Sequence, residues 1–245
     1  MRVDICIPAH NEERILESNA LRLLRFCDAQ HFDFDWRIAL LVNGASDASP
    51  AIAARLSRAE PRIVASITPQ GGRGQALARY WSATDADIVV YMDSDLAVSL
   101  ESLPPLINEL VSGRADVAIG SRFKDGSVVV RSPLRELTSR SYNHLSRWLL
   151  KHPYSDLQCG FKAVRRSVFT ELAPLLRDTA WSFDTELVVW AGRFGKTVSE
   201  VAVNWQETRY GSRPSKVRLF RDTTRFLRHL LAFRSRLKRF TRPAP

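Results

Sequence analysis

The 245-residue sequence predicts an α/β fold in which a mostly parallel sheet carries helices on both faces. Short apolar runs alternate with amphipathic helical patterns through the first 120 residues, and polar or glycine-bearing turns punctuate them. No internal repeat, low-complexity tract or linker divides the chain, so one continuous domain is expected through residue 212, with a basic segment at 213–245.

Arg2 to Ile7 is a short buried strand by pattern. Pro8-Ala9-His10-Asn11-Glu12-Glu13 turns the chain, and Leu16, Ala20, Leu23, Leu24 and Cys27 then recur at helical spacing. The unit returns as a strand over Arg37 to Val42, a polar turn Asn43-Gly44-Ala45-Ser46-Asp47, and a helix from about Ala51 to Leu56. A third copy runs from the strand Arg62 to Ile67 through a glycine-rich turn into a helix near Gln75 to Ser82. The run Asp87-Ile88-Val89-Val90-Tyr91-Met92 is a fourth strand, Ser102 to Leu110 a helix, and Asp116 to Gly120 a fifth strand. The rhythm then changes: Ser121 to Pro133 reads as a polar loop, Arg135 to Leu150 as a long amphipathic helix and Cys159 to Val164 as extended. A helix over Thr185 to Arg193 and a strand over Val198 to Val203 follow.

Charge is unevenly distributed. The formal net charge is +10, yet residues 213–245 hold eleven Lys or Arg against Asp222 alone, and the preceding 212 residues hold 25 basic and 25 acidic side chains. A neutral body argues against tracking of a nucleic-acid backbone. From Arg218 to Arg239, arginines alternate with Phe220, Phe226, Leu227, Leu230, Leu231, Phe233 and Leu237 at helical spacing. Such a helix suits either a membrane interface or packing of its apolar face on the domain. No run approaches the roughly 20 apolar residues that span a bilayer, and the chain opens on a strand, so a cytoplasmic protein is expected, peripheral at the inner membrane face if the basic helix binds lipid. Cys6, Cys27 and Cys159 are odd in number and far apart, which speaks against a disulfide framework or a structural zinc site. No histidine has a partner at metal-ligand spacing.

The chemistry centres on Asp93-Ser94-Asp95, at the end of the fourth strand. Two carboxylates there can hold a hard divalent cation against a diphosphate, with water and phosphate oxygens filling the other positions. Ligands also collect at the carboxyl ends of strands in open parallel sheets. Asp is equally a common cap and turn residue, so Ser94 or Asp95 also suits capping of the next segment. Gln70-Gly71-Gly72-Arg73-Gly74 opens a predicted helix, where backbone amides and Arg73 can meet an anion. It lacks the Gly-Lys-Ser/Thr ending of a Walker loop.

Several stretches occur in the order seen in family 2 glycosyltransferases: Ile7-Pro8-Ala9-His10-Asn11-Glu12-Glu13, Asn43-Gly44-Ala45-Ser46-Asp47, Gly72-Arg73-Gly74, Asp93-Ser94-Asp95, Gly120-Ser121-Arg122-Phe123 and Gln158-Cys159-Gly160-Phe161-Lys162. Ser182-Phe183-Asp184-Thr185-Glu186-Leu187, Val201-Ala202-Val203-Asn204-Trp205 and Ser215-Lys216-Val217 resemble the polyprenyl-phosphate sugar synthases, in particular the dolichyl-phosphate glucosyl- and mannosyltransferases. The resemblance covers about residues 3 to 222. It implies a Rossmann-like GT-A fold, a nucleoside-diphosphate sugar donor, Mg2+ or Mn2+, and inversion at the anomeric carbon. It places Pro8, Ala9, Glu12 and Asn43 beside the nucleoside, Arg73 near the nucleotide, and Asp93 and Asp95 at the ribose and metal, with Asp95 the foremost metal ligand. Val42 and Asn43 stand where the family commonly carries an Asp pair, so one base-recognition carboxylate is missing. Ala97 replaces a Gln of the mannosyl branch, which favours the glucosyl-like branch or a different donor.

The acceptor divides the remaining expectations. A lipid phosphate is already ionised and needs cations to hold it; Arg122, Arg131, Arg135 and Arg140 are candidates, with Lys216 from the later motif. A hydroxyl acceptor needs a carboxylate to take its proton, and Asp184 or Glu186 would serve. Arg135 and Arg140 also suit the solvated face of a helix, and Asp184 suits an N-cap. Trp181, Trp190 and Trp205 can meet a sugar or a prenyl chain or fill a core. The expected function is metal-dependent transfer of a hexose, glucose first, to a polyprenyl phosphate. The alternatives are a soluble hydroxyl acceptor, or a non-catalytic nucleotide-sugar- or nucleic-acid-binding module.

Overall fold

The computed structural model describes residues 1–178, 182–207 and 219–240. Its first half alternates as the periodicity predicts: β1 (Arg2–Ala9), α1 (Leu16–Ala29), β2 (Asp35–Asn43), α2 (Ser49–Ala59), β3 (Ile63–Thr68), α3 (Arg73–Ala83), β4 (Ile88–Met92), α4 (Leu103–Val111) and β5 (Val117–Ser121). The second half contains β6 (Val128–Val130), α5 (Pro133–Leu150), β7 (Phe161–Arg165), α6 (Arg166–Leu172), α7 (Phe183–Arg193), β8 (Val198–Ala202), β9 (Asn204–Gln206) and α8 (Leu219–Arg239).

Seven strands form one sheet in the order β3-β2-β1-β4-β7-β5-β8. All run parallel except β7, which lies antiparallel to both β4 and β5. Inserting one reversed strand leaves β4 and β5 pointing the same way, so their carboxyl ends open on one edge. The expected loop at Ser121 to Pro133 contains a strand: β-branched Val128, Val129 and Val130 pair in parallel with β9, Val129 opposite Trp205. The short helix α6 has no counterpart in the sequence expectation.

The sheet is covered on both sides, which is why its strands are continuous apolar runs. Val3, Ile5 and Ile7 of β1 face a layer made with α1, α2 and α4, whereas Cys6 faces the layer that contains Trp81, Phe169, Phe183 and Trp190. Helix α8 belongs to this second layer. Its Leu230 and Phe233 are buried, and Phe233 and Phe240 meet Trp190 edge-on at centroid distances of 5.8 and 4.8 Å. Phe226 meets Tyr142 of α5 at 5.4 Å. The three cysteines are buried and unbridged. Among the described residues, no helix is long and apolar enough to cross a membrane.

Truncating Phe233 to Ala removes an aromatic anchor from a site with no solvent exposure. Phe233→Ala is expected to lower stability by about 3–5 kcal/mol, read as a fall in the urea midpoint at unchanged m-value.

Candidate active site

Parallel register brings the first loops together. Ala9 pairs with Val42 and Cys6 with Tyr91, so β1, β2 and β4 end at one edge, where Pro8, Ala9, Asn43 and Asp93 converge. Glu12 caps the turn that follows β1: its carbonyl accepts the Ile15 and Leu16 amides, and its own amide donates to Ser49 Oγ at 2.9 Å. His10 Nδ1 lies 2.7 Å from the Asn43 carbonyl oxygen.

Asn43 is a tie between loops. Its Nδ2 donates to the carbonyls of Ala9 (3.1 Å) and Leu41 (3.2 Å), and its Oδ1 accepts the Gly72 amide at 3.0 Å. The side-chain amide expected beside the nucleoside is thus buried and engaged by protein groups, because this junction needs a donor and an acceptor on one short side chain. Gly44, at φ 55°, follows it, and a Cβ there would press on the backbone of Gly71. The glycine turn and the end of β2 can therefore close on each other.

Asp93 extends from the wholly buried strand β4. Its amide donates to the Gly160 carbonyl at 3.1 Å, and a Cβ on Gly160 would overlap the Asp93 carboxylate, so only glycine leaves this carboxylate its position. The side chain is 46% exposed and lies 3.3 Å from Arg73 Nη1. Asp95 Oδ1 accepts the Ala97 amide at 3.1 Å, while Asn19 Nδ2 holds the intervening Ser94 carbonyl at 2.8 Å. The local turn bond expected of Asp95 is present, and it orients the carboxylate beside Asp93. Among the described residues, no group of three or more His, Cys, Asp or Glu side chains gathers to cage a metal. Two carboxylates fit an oxygen-preferring cation that completes its shell with water and diphosphate, the habit of Mg2+ and similar ions.

Behind the pair lies a buried charge cluster. Arg73, the first residue of α3, bridges Asp93 and the wholly buried Asp184 of α7. Tyr91 donates its hydroxyl to the same Asp184 carboxylate, and Lys162 Nζ sits 3.1 Å from Asp184 Oδ1 and donates to the Cys159 carbonyl at 2.5 Å. Both cations stand over the Tyr91 ring, at 5.6 Å for Arg73 and 5.7 Å for Lys162. Burial pushes Asp184 up to about 6 against the pull of Arg73, and burial draws Lys162 down to about 8. Burial also disfavours the Arg73 charge, but Asp184 and Asp93 outweigh it and raise its pKa. At neutral pH Arg73 and Lys162 both meet the Asp184 anion, and the second branch of Arg73 reaches Asp93. Lys162, the last residue of the Gln158-Cys159-Gly160-Phe161-Lys162 stretch, is a candidate site residue that local spacing does not single out.

The other candidates fall into separate environments. Arg122 grips the buried Asp156 with two hydrogen bonds, Nε to Oδ2 at 2.7 Å and Nη2 to Oδ1 at 2.9 Å. Burial favours a neutral Asp156, but Arg122 overrides it and holds the carboxylate below its usual range. Arg131 is paired at 2.6 Å with Glu136, which also meets Arg140, and Arg135 with Glu207 at 3.0 Å, so each of the expected phosphate-holding cations already has a carboxylate partner. Arg122 and Arg131 flank the Trp205 ring at 5.9 and 6.0 Å. Glu186 does not join Asp184: Arg236 of α8 pairs with it at 2.5 Å, the Arg177 amide donates to it at 2.7 Å, and His229 is 3.4 Å away. It fastens the C-terminal helix. Lys216 and Trp181 lie outside the described residues.

The family model for glycosyl transferase family 2 matches residues 4–173. The chain belongs to glycosyl transferase family 2. It is 36% identical over 228 residues to glycosyltransferase AglD of Haloferax volcanii, covering 91% of this chain and 35% of that protein. It is 26% identical over 213 residues to a dolichyl-phosphate beta-glucosyltransferase of Trichomonas vaginalis, covering 84% of this chain and 66% of the relative. It is 31% identical over 217 residues to the polyprenol monophosphomannose synthase of Mycolicibacterium smegmatis, covering 86% and 79%. The family 2 chain thus spans about a third of the first relative's length and just under two thirds of the second's. Its fold is shared with glucosyl-3-phosphoglycerate synthase of Mycobacterium tuberculosis in complex with Mn2+, uridine diphosphate and glucosyl-3-phosphoglycerate. The TM-score is 0.64 at 21% identity, covering 94% of this chain and 77% of that one. The architecture is GT-A.

Two substitutions test this geometry. Asn43→Asp sets a carboxylate oxygen against the Ala9 and Leu41 carbonyls and is expected to destabilise by about 2 kcal/mol, measured by denaturant unfolding. Lys162→Met leaves Asp184 with Arg73 and Tyr91 and removes one of the two buried cations. Donor affinity in the parent is expected to weaken as pH rises through about 8 and Lys162 loses its proton; titration calorimetry on Lys162→Met should show weaker binding without that alkaline limb.

Proposed function

We propose that this chain transfers a hexose, glucose in the first instance, from a nucleoside-diphosphate sugar to a polyprenyl phosphate, with inversion at the anomeric carbon and with Mg2+ or Mn2+. The observation that carries the acceptor class is the condition of the two carboxylates available as a general base. Asp184 and Glu186 have no solvent exposure, and each is held by cations, Arg73 and Lys162 on one and Arg236 on the other. A hydroxyl nucleophile needs a carboxylate within hydrogen-bond reach to accept its proton. A phosphate monoester is largely ionised near neutral pH, so its oxygen needs only to be held in line.

Asp93 and Asp95 would hold the cation, which when bound neutralises charge on the departing diphosphate. Arg73 adds fixed positive charge beside Asp93, backed by Lys162, and this preorganised field favours the leaving group as its charge develops. Pro8, Ala9 and Glu12 form the nucleoside side of the edge, and Asn43 fixes their loop relative to the glycine turn. On the acceptor side Arg122, Arg131 and Arg135 orient the lipid phosphate, joined by Lys216. Arg122 enters this role as half of a bidentate pair, rigid because Asp156 holds it. Glucose is favoured by the dolichyl-phosphate beta-glucosyltransferase relative and by Ala97; the polyprenol monophosphomannose relative makes mannose the second donor to try.

A donor screen with Mn2+ or Mg2+, offering a polyprenyl phosphate and a panel of soluble hydroxyl compounds, tests the reading by product mass. UDP-glucose and the lipid phosphate are expected to yield a glycosyl phospholipid, and Asp95→Asn is expected to slow turnover by roughly a thousandfold. Products on hydroxyl acceptors alone would overturn the acceptor assignment.

A further inference from the structure

Helix α5 carries a stripe that the site does not use. Leu134, Leu137, Ser141, His144 and Trp148 recur at spacings of three and four, and Leu137 and Trp148 are 63% and 62% exposed. Helix α8 packs beside α5 and presents Leu227 and Leu231, 43% and 49% exposed, to one side of its buried Leu230 and Phe233. The two stripes meet at one seam, where the Arg234 guanidinium stands 5.9 Å from the Trp148 ring. Arg140 and Arg147 lie within one turn of Leu137 and Trp148 along α5, and Arg228 and Arg234 lie within one turn of Leu227 and Leu231 along α8. Along the same face of α5 an open cleft of about 870 Å³ is lined by Arg140, His144, Arg147, Trp148, Phe123 and Ser155. Phe123 and Ser155 are the sequence neighbours of Arg122 and Asp156, so the cleft leads from the exposed face toward the Arg122–Asp156 pair.

We infer that the seam of α5 and α8 is a docking face for an anionic phospholipid surface. The amphipathic tail alone does not make this face: α8 buries Leu230 and Phe233 in the domain, and α5 supplies the most exposed apolar side chains. Charge complementarity selects the occupant. Between Leu219 and Arg239 the sequence holds seven basic residues and one acid, with Arg236 turned inward to Glu186, and on α5 the one acid, Glu136, is already paired with Arg131 and Arg140. Exposed Leu and Trp side chains enter the acyl boundary, while arginines at their margins meet anionic headgroups. The face takes its purpose from the lipid-phosphate reading, since it would bring the cleft to a lipid-borne substrate. Its detection does not depend on that reading.

The test is co-sedimentation of the full chain with phosphatidylcholine vesicles, with and without phosphatidylserine, at two salt concentrations. Binding is expected only with the anionic lipid and is expected to weaken with salt. Trp148→Glu with Leu231→Glu, and separately Arg228→Gln with Arg234→Gln, should each lower the partition coefficient about tenfold or more. Metal-dependent release of UDP from UDP-glucose, and the thermal midpoint, should stay at parental values. Vesicle binding that is absent in the parent, or equal in the variants, overturns the proposal. So does self-association that the Glu variants abolish, since a second copy would then cover the face. Transfer to a detergent-dispersed polyprenyl phosphate is measured in parallel: its failure with vesicle binding intact sinks the transferase reading alone, and its success without vesicle binding sinks the docking face alone.

Discussion

Three elements converge on the Asp184 carboxylate: Arg73 from the start of α3, Lys162 from β7 and Tyr91 from β4. A carboxylate with no exposure is unstable as an anion unless cations and hydrogen-bond donors surround it, and removal of any one of these would leave buried charge behind. The junction demands close approach. Gly74 permits it, because a Cβ there would run into the Phe183 side chain and push α3 away from α7. Once Arg73 is pinned in this way, its second branch reaches Asp93, and the glycine turn, the end of β4 and the first turn of α7 hold one arrangement. The same contacts set the Arg73 guanidinium as a fixed cation between Asp184 and Asp93 at the strand edge.

Charge is handled differently around Trp205. Arg122, Arg131 and Arg135 each have a carboxylate partner, and Trp205 lies between the first two. Pairing makes these guanidiniums rigid and lowers their net field. Glu186 carries the principle to the far side of α7, where Arg236 and His229 lock α8 onto the domain. The C-terminal helix thereby becomes part of the second core layer while its outer face remains beside α5.

Much of this was legible in the residues. Apolar runs covered on both faces gave strands in the right order, and the Asp93-Ser94-Asp95 pair lies at the strand end where the pattern put it. Lys162 was not legible, because a lysine in Phe161-Lys162-Ala163-Val164 looks like the wet position of an alternating strand. Here both faces of β7 are covered, and the ammonium turns inward to Asp184. The separation of Asp184 from Glu186 could have been read earlier: residues two apart on a helix point about 200° apart, so both cannot face one acceptor.

The sequence by itself determined the strand and helix alternation, the acidic pair, the glycine turn and the concentration of positive charge in the tail, since each is a local pattern of side-chain type and spacing. Only the tertiary structure decided that β7 runs against its neighbours, that Asn43 ties three loops, that the arginines are paired, and that Asp184 and Glu186 are buried under cations. Those features depend on contacts between residues 29 to 111 positions apart. Such contacts form only when helices and strands pack, and nothing in the local spacing of either partner encodes the distance between them.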